Sequence, residues 1–416
     1  MPRRPTEEEL IQRTGVFFAL AAFLGCLLPS GARAAGDAIV FGAAISITGK
    51  TAKEGEYTRD GYQIAVDKIN ETGIRVGGRL RKVSLKVYDD ESRSERTAQL
   101  IEKLVHEDGV QLLLGPYASG PTATAAPIAE KYRIPMVEAN GSAESIFKRG
   151  YRYTFAVLSP AKLYLRGLID LVRAKDPTAK TVAILGENEP FSKEVAQGAA
   201  EYARQKGLDV VYLQFYPTNT QDVSALLTNI KGKAPHVILG SGHLQDSLLI
   251  VKQARDLGVS PRAMGFSVGP SSPEFRENLK GNADYVYGAT QWTPALQYHG
   301  DDPWKTPAEF ARAFSARHPG YRSIPYQVAE SAAAVWAYAK AIENAGSVEG
   351  PKVRDALAAL DIMTFYGRIK FDARGVNVFK PLAIEQLQPD GKKYTVWPAN
   401  VAERPPLYPM VPWEKR

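Results

Sequence analysis

The segment spanning residues 112–147 constrains the fold most, because it contains a strand, a polar turn and a helix twice in succession. Residues 110–114 form a short apolar run, which is typical of a parallel strand covered on both faces. Ser119-Gly120-Pro121 then has the composition of a helix start. A second strand is predicted at 134–137, followed by the polar turn Asn140-Gly141-Ser142. In a parallel sheet both turns lie at the carboxyl edge, where open α/β sheets bind ligands.

The two polar turns have the chemistry of an anion site. Each combines a serine hydroxyl with the free backbone N–H groups that begin a helix, and such groups bind carboxylate or phosphate oxygens. The alternative is that Ser119 and Ser142 only cap their helices, which contributes about 1 kcal/mol per cap. Capping and ligand binding are compatible, so both interpretations stay open.

The chain as a whole alternates between strands and helices, in two runs. The first run covers residues 38–158, and the pattern restarts with a helix at 161–173 and continues to a strand at 262–266. Such alternation predicts parallel sheets with helices on both faces, and two runs predict two lobes. The expected fold class is therefore α/β with two doubly wound parallel-sheet lobes.

Residues 1–34 are predicted to be a signal peptide. Arginines precede an apolar run at 16–28, which is too short to span a bilayer, and Ala32-Arg33-Ala34 suits a signal peptidase. Lipid anchoring at Cys26 is the alternative. Because Cys26 is the only cysteine, the exported chain would contain no thiol, which excludes disulfides, thiolate metal sites and cysteine catalysis. The expected location is the periplasm.

Charge and histidine spacing exclude further classes of function. The formal net charge is +7, but basic residues are interspersed with acidic ones and form no stripe with aromatic residues, so no nucleic-acid partner is expected. The five histidines lack the spacing of metal ligands. We expect neither a metal nor a cofactor.

Two strings resemble enzyme motifs. Residues 44–51 end in the Gly-Lys-Thr of a phosphate-binding loop, but the preceding residues are stiff and β-branched where such a loop needs glycine. Residues 265–269 match a nucleophile elbow around Ser267, and Asp301 or Asp302 and His318 follow in hydrolase order. Prolines directly after the elbow obstruct the helix that should follow it. No enzymatic activity is expected.

Several motifs together resemble the leucine/isoleucine/valine-binding family of type I periplasmic binding proteins, the receptor subunits of ABC importers. The resemblance covers almost all of the exported chain. It is carried by Gly42 to Gly49, Gly61 to Asn70, Tyr88-Asp89-Asp90, Leu114-Gly115-Pro116, Ile134-Pro135 and the segment from Gly367 to Gly375.

This resemblance implies two lobes joined by three crossover strands, near residues 157, 289 and 363, with the ligand between the lobes. The implied lobes are 35–157 with 290–362 and 158–289 with 363–397, followed by a proline-rich tail at 398–416. The implied partners are a small carboxylate ligand and the membrane permease of an ABC importer, and the implied protein is a monomer. Sensing of a ligand in signalling is the alternative to transport.

The resemblance also implies site residues. Ser119 and Ser142 match positions that hold a ligand carboxylate, while Ala118, Asn140 and Gly141 match neighbouring backbone contacts. Four aromatic residues are candidates to line the pocket, with the core of the sheets as the alternative place for each: Tyr117, Phe191, His243 and Trp292.

One departure from the family concerns the ligand's amine. Ser267 occupies the position where many amino-acid binders carry an acid that meets the ligand ammonium, and Glu54 occupies the position of a usual tyrosine. If Glu54 or Glu189 replaces the acid, the ligand remains a branched-chain or related amino acid. Otherwise an aromatic or aliphatic acid without an amine fits better, because burying an ammonium without a partner is costly.

Overall fold

The computed structural model describes residues 38–416, so the predicted signal peptide and Cys26 lie outside the described residues. The helices of the described part are α1 Ala52–Thr72, α2 Ser94–His106, α3 Ser119–Tyr132, α4 Glu144–Phe147, α5 Arg166–Lys175, α6 Pro190–Gln205, α7 Ser224–Lys233, α8 Leu244–Asp256, α9 Pro273–Leu279, α10 Pro307–Arg317, α11 Tyr326–Ala345 and α12 Gly350–Ala358.

The strands, in chain order, fall mainly into two large sheets. They are β1 Ile39–Ile45, β2 Ile74–Val76, β3 Arg79–Arg81, β4 Val83–Asp89, β5 Leu112–Leu114, β6 Met136–Glu138, β7 Thr154–Ala156, β8 Thr181–Glu187, β9 Asp209–Tyr216, β10 Val237–Ser241, β11 Ala263–Phe266, β12 Tyr287–Thr290, β13 Asp361–Thr364, β14 Gly367–Lys370, β15 Ala383–Leu387 and β16 Lys393–Trp397.

The first sheet has the order β4-β1-β5-β6-β7, and every pair in it is parallel. The second has the order β16-β15-β12-β11-β10-β8-β9, with β15 and β16 antiparallel at one edge. We call each sheet with the helices packed on it the first and the second lobe. The predicted α/β class with two doubly wound lobes is confirmed.

Helices cover both faces of the first sheet, as alternation along β1 requires. Phe41 and Ile45 belong to the core layer that also contains residues of α1 and α11. Ala44 points to the opposite layer, which contains apolar residues of α2 and α3. A strand buried on both faces is apolar at consecutive positions, and this is the signal that the sequence carried.

The chain passes between the two sheets three times, and the three connecting segments are hydrogen-bonded to one another. Ser159 exchanges hydrogen bonds of 3.2 Å with the Gln291 side chain, and its hydroxyl donates to Lys380 O at 2.7 Å. Asn377 Nδ2 donates to Val157 O at 2.9 Å. Two of these segments lie near the expected crossovers at 157 and 289, while the third lies beyond 363. The exact lobe boundaries stay a prediction.

The proline-rich tail at residues 398–416 packs on the second lobe. The Tyr408 hydroxyl donates to Asp176 Oδ2, and Trp413 Nε1 donates to Val259 O, each at 2.7 Å. None of the helices in the described part of the chain is long and apolar enough to cross a membrane.

Candidate functional site

The two predicted polar turns lie side by side at the carboxyl edge of the first sheet. Ser119 begins α3 just after β5, and Ser142 follows β6, the neighbouring parallel strand. Ser119 Oγ accepts a hydrogen bond from Ala143 N at 3.1 Å, which ties the first turn to the second. The N-cap residues of α3 and α4 are Ala118 and Ala143, so the interpretation that both serines are helix caps is wrong. The expectation of free N–H groups at the second turn is also wrong, because the Glu194 carboxylate accepts hydrogen bonds from Glu144 N and Ser145 N.

Ser142 and Asn140 keep hydrogen-bonding capacity at this edge. Both side chains are buried, and within residues 38–416 neither Ser142 Oγ nor Asn140 Oδ1 has a hydrogen-bond partner. Asn140 Nδ2 donates to Ser331 Oγ on α11 at 3.3 Å. Since buried polar groups are normally paired, these two atoms stand out as unused hydrogen-bonding capacity at this edge of the sheet.

Ala118 precedes the first turn in a strained conformation. Its φ of 73° and ψ of 155° fall in a region that is otherwise essentially restricted to glycine. Strained backbone of this kind concentrates at ligand-binding sites, where the surrounding structure holds it in place. The strain therefore singles out the turn that the family resemblance assigns to the ligand.

Glu138, which the sequence analysis did not identify, holds the second turn in place by hydrogen bonds. Its carboxylate accepts hydrogen bonds from Asn140 N and, at 2.9 Å, from Thr122 Oγ1. Burial raises its pKa to about 7. Gly141 completes the packing, because a Cβ there would lie 2.4 Å from Thr122 Oγ1. The signal available in the sequence was an acid ending an apolar strand.

Tyr117, Phe191 and His243 meet across the cleft, as the sequence predicted for a pocket wall. The Tyr117 hydroxyl of the first lobe lies 3.0 Å from His243 Nδ1 of the second. The His243 ring is 5.5 Å from each of the Tyr117 and Phe191 rings, centroid to centroid. Trp292 lies elsewhere, since its ring packs on Phe310. It is a core residue, and the expectation that it lines the pocket is wrong.

Two acids approach the same histidine. Glu54, on α1, is fully buried and accepts a hydrogen bond from Leu244 N of the second lobe at 3.0 Å. Burial raises its pKa. Glu189 Oε1 lies 3.9 Å from His243 Nε2, and its carboxylate also caps α6. Both candidate replacements for the missing acid therefore sit beside the aromatic wall.

Lys50 joins the lobes by ion pairs. Its Nζ lies 2.5 Å from Glu187 Oε1 and 3.1 Å from Asp246 Oδ2, although both acids belong to the second lobe and are buried. Burial lowers the pKa of Lys50, but Asp246 and Glu187 outweigh this and raise it. Lys50 therefore bridges the two lobes and does not act as the lysine of a phosphate-binding loop.

A profile of the periplasmic binding protein family matches residues 38–392. The chain belongs to this family. Leu/Ile/Val-binding protein homolog 8 of Brucella suis is 28% identical over 406 residues, which cover 92% of this chain and 96% of the relative.

Two solved structures share the fold. One is LivJ, a branched-chain amino acid transporter substrate-binding protein of Streptococcus pneumoniae in complex with isoleucine. It is 24% identical, with a TM-score of 0.75, over 87% of this chain and 100% of LivJ. The other is a solute-binding protein of R. palustris in complex with benzoate. It is 17% identical, with a TM-score of 0.73, over 86% of this chain and 95% of that chain.

Membership in this family confirms the resemblance found in the sequence and implies a periplasmic location. Periplasmic binding proteins bind substrates and are not enzymes. The hydrolase-like motif around Ser267 has a structural role. Ser267 Oγ donates a hydrogen bond to Gly242 O and accepts one from Gly242 N, which closes the loop before α8. Asp302 accepts hydrogen bonds from Trp304 N and Phe365 N. These residues hold loops in place in the binding protein.

Ligand atoms of Glu187, Glu189 and His243 lie within 4.8 Å of one another. In this binding protein, the Lys50 ammonium already neutralises Glu187, and Glu189 is engaged by the α6 backbone. These three residues therefore form part of the interlobe contact, and we assign no metal to them.

Proposed function

We propose that this binding protein is the substrate-binding component of an ABC importer and holds a branched-chain or related amino acid between its lobes. The observation that carries the proposal is the buried, unpartnered Ser142 hydroxyl beside the first turn of α3. A hydroxyl and free N–H groups at a helix start form a carboxylate site, and each charge-assisted hydrogen bond there contributes about 1.5–3 kcal/mol. The ligand class is supported by the relatives, since the Brucella protein is a Leu/Ile/Val-binding protein homolog and the Streptococcus protein was solved with isoleucine.

The acids around His243 support a ligand with an ammonium group. Glu54 and Glu189 both lie next to the aromatic wall, one from each lobe. A buried ammonium needs an anionic partner, and either acid supplies one. Ser267 takes no part, because its hydroxyl is engaged with Gly242.

Hinge closure is the proposed mechanism. Glu54–Leu244, Tyr117–His243 and the Lys50 ion pairs all cross the cleft, so opening would break them together. A ligand that bridges the two lobes adds to these contacts and shifts the equilibrium towards the closed form. The closed monomer would then dock on the membrane permease.

Binding of an acid without an amine is the second candidate. The aromatic wall of Tyr117, Phe191 and His243 favours it, and the R. palustris protein of the same fold was solved with benzoate. In that case the serine turns would bind the carboxylate in the same way, and the acids near His243 would serve only the contact between the lobes.

Calorimetry with matched ligands distinguishes the two candidates. Leucine and 4-methylpentanoate differ only by the amine, and phenylalanine and 3-phenylpropanoate form a second such pair. We expect the amino acid to bind at least about tenfold tighter in one pair, since loss of a desolvated ion pair costs more than about 1.4 kcal/mol. If the amine-free acids bind equally well or more tightly, the proposed ligand is an organic acid and not an amino acid.

Glu54→Gln and Glu189→Gln test which acid acts, because the responsible variant should lose the preference for the amine. Uptake of the bound solute by cells with and without the protein separates import from sensing. Unchanged uptake would leave sensing as the function.

A further inference from the structure

Gln327, the second residue of α11, has an unusual environment. It is 0% exposed, and neither its Nε2 nor its Oε1 has a hydrogen-bond partner among the described residues. The side chain therefore offers two donors and one acceptor, whichever way the amide is turned. A buried group left in this state costs about 1–3 kcal/mol, so a position that keeps it needs a reason outside the folded chain itself.

The register of α11 places Gln327 at the ligand cleft. Tyr338 donates to Leu113 O on β5 at 2.7 Å, and seven residues earlier Ser331 contacts Asn140 in the second turn. Gln327 lies one turn further, on the same face of the helix and about 6 Å along the axis. The helix thus runs from the body of the first sheet past its carboxyl edge, and Gln327 projects beyond the serine turns.

Tyr117 gives independent evidence for the position of Gln327. Burial raises the pKa of its hydroxyl, and the Gln327 amide lies near enough to oppose part of that rise, although no hydrogen bond joins the two side chains. The same hydroxyl touches His243. Gln327 therefore lies between the serine turns and the aromatic wall, which is where the body of a ligand held at Ser142 would extend.

Two further polar atoms in neighbouring elements are buried without a hydrogen-bond partner among the described residues. They are Asn140 Oδ1 in the second turn and Ser192 Oγ, which follows Phe191 on the first turn of α6. An aliphatic side chain in such a place would leave these groups unpaired, whereas a hydroxyl or carboxamide would pair with them.

We infer that Gln327 selects ligands whose side group is an uncharged hydrogen-bonding group, a hydroxyl or a carboxamide, over aliphatic ligands of the same shape. This inference rests on the proposed function for the carboxylate end of the ligand. It narrows the ligand class to a polar relative of the branched-chain amino acids.

Calorimetry with isosteric pairs tests the inference. Threonine and valine, and asparagine and leucine, differ mainly in hydrogen-bonding groups. The pairs 3-hydroxybutyrate with 3-methylbutyrate and 4-hydroxybenzoate with 4-methylbenzoate make the same comparison without an amine. We expect the polar member of at least one pair to bind at least about tenfold tighter to the wild-type protein. In Gln327→Leu that ratio should fall about tenfold or more.

Thermal stability distinguishes a ligand-selecting role of Gln327 from a structural one. If Gln327 stabilised the fold, its replacement would lower the Tm of the ligand-free protein. Removing an unpaired buried amide should leave the Tm of the ligand-free Gln327→Leu protein unchanged or higher. Gln205→Leu, at the exposed end of α6, is the matched control and should leave every binding ratio unchanged. If Gln327→Leu does not fold, Gln327→Met, which keeps an unbranched side chain, serves for the same ratios.

Tighter binding of the aliphatic member in every pair that binds, or an unchanged ratio in the Gln327 variant, would overturn the inference. If only the amine-free pairs bind, the amino-acid part of the proposed function fails, and the Gln327 inference is decided on those pairs. Binding of none of the eight compounds would overturn the carboxylate site and the inference with it.

Discussion

The carboxyl edges of the two sheets face each other across the cleft but are built differently. The first edge presents neutral groups, Ser142 and Asn140, whose side chains retain unpartnered atoms. The second edge presents charge, and that charge is already engaged, since Lys50 of the first lobe pairs with both Glu187 and Asp246. The first edge thus has hydrogen bonds to offer the proposed solute, while the charges of the second edge pair with a residue of the opposite lobe.

The difference arises from where each acid points. On the first edge, Glu138 turns back into its own sheet and accepts the hydrogen bond of Asn140 N. On the second edge, Glu187 ends β8 and reaches across to Lys50 of the other lobe. An acid at the end of a parallel strand can therefore shape its own turn or hold the opposite lobe.

The largest expected effect concerns Glu138 and pH. Its pKa is raised from 4.5 to about 7, so the folded state holds a proton that the unfolded state has lost between these values. The stabilisation is complete below pH 4.5 and is lost as the pH rises through 7, which amounts to about 3 kcal/mol. Glu138→Gln removes this titration.

Urea unfolding of both proteins at low and neutral pH checks this. Relative to the wild type, Glu138→Gln should gain about 3 kcal/mol of unfolding free energy between pH 4.5 and about pH 8. Burial also raises the pKa of the nearby Glu330, so only the difference between the two proteins is informative. Parallel pH profiles would show that Glu138 does not titrate as its burial implies.

Lys50→Met tests the charged second edge. In the closed form the variant leaves Glu187 and Asp246 buried without their cation, whereas in the open form water solvates both acids. Truncating one partner of a buried charge pair costs about 2–5 kcal/mol, and the 20% exposure of Lys50 favours the low end. Ligand affinity should therefore fall by roughly 30- to 100-fold.

Calorimetry with the solute found in the ligand screen measures this loss. Lys352→Met is the control, because Lys352 is exposed and pairs with Glu349 on the surface of the first lobe, where a salt bridge contributes less than about 1 kcal/mol. If the two variants bind equally well, the Lys50 pairs do not stabilise the closed form.

The two serines of the first edge should separate stability from binding. Ser119→Ala leaves the buried Ala143 N–H without its acceptor, which should lower the unfolding free energy by about 1–2 kcal/mol. Ser142→Ala removes a hydroxyl that bonds nothing in the described chain, so stability should hold while affinity falls about tenfold.

Ser315→Ala, at an exposed position on α10, controls for the change in helix propensity. Urea unfolding and calorimetry on the three variants give both quantities. A loss of stability in Ser142→Ala without a loss of affinity would assign that hydroxyl to the fold.

Local patterns predicted the architecture and the position of the serine turns. The apolar runs and polar turns located β5, β6 and the serine turns, because strand ends and helix starts depend on neighbouring residues. The partners of those residues depend on distant ones. Glu138 gains its role from Thr122, and Lys50 from acids that lie about 140 and 200 residues away, so no short window of sequence contains them.

Ser267 and Gln327 also show that sequence motifs do not identify site residues reliably. Ser267 attracted attention through a motif, yet its hydroxyl is occupied by the backbone of Gly242. Gln327 has no motif, and in a helix pattern it reads as an ordinary polar position. Only burial and the lack of a partner distinguish it.

The smallest expected effect concerns the backbone of the first edge. Glycine adopts the conformation of Ala118 without strain, so Ala118→Gly should raise the unfolding free energy by about 1 kcal/mol after the greater flexibility of the unfolded chain is subtracted. Ala234, the left-handed cap of α7, is the control, because glycine there should stabilise by a similar amount.

Ligand affinity separates the two variants. Ala118→Gly loosens the turn that presents Ser119 and should weaken ligand binding, whereas Ala234→Gly should not. Equal affinities would mean that the strain at Ala118 belongs to the fold and that hydroxyls alone make the first edge a binding site.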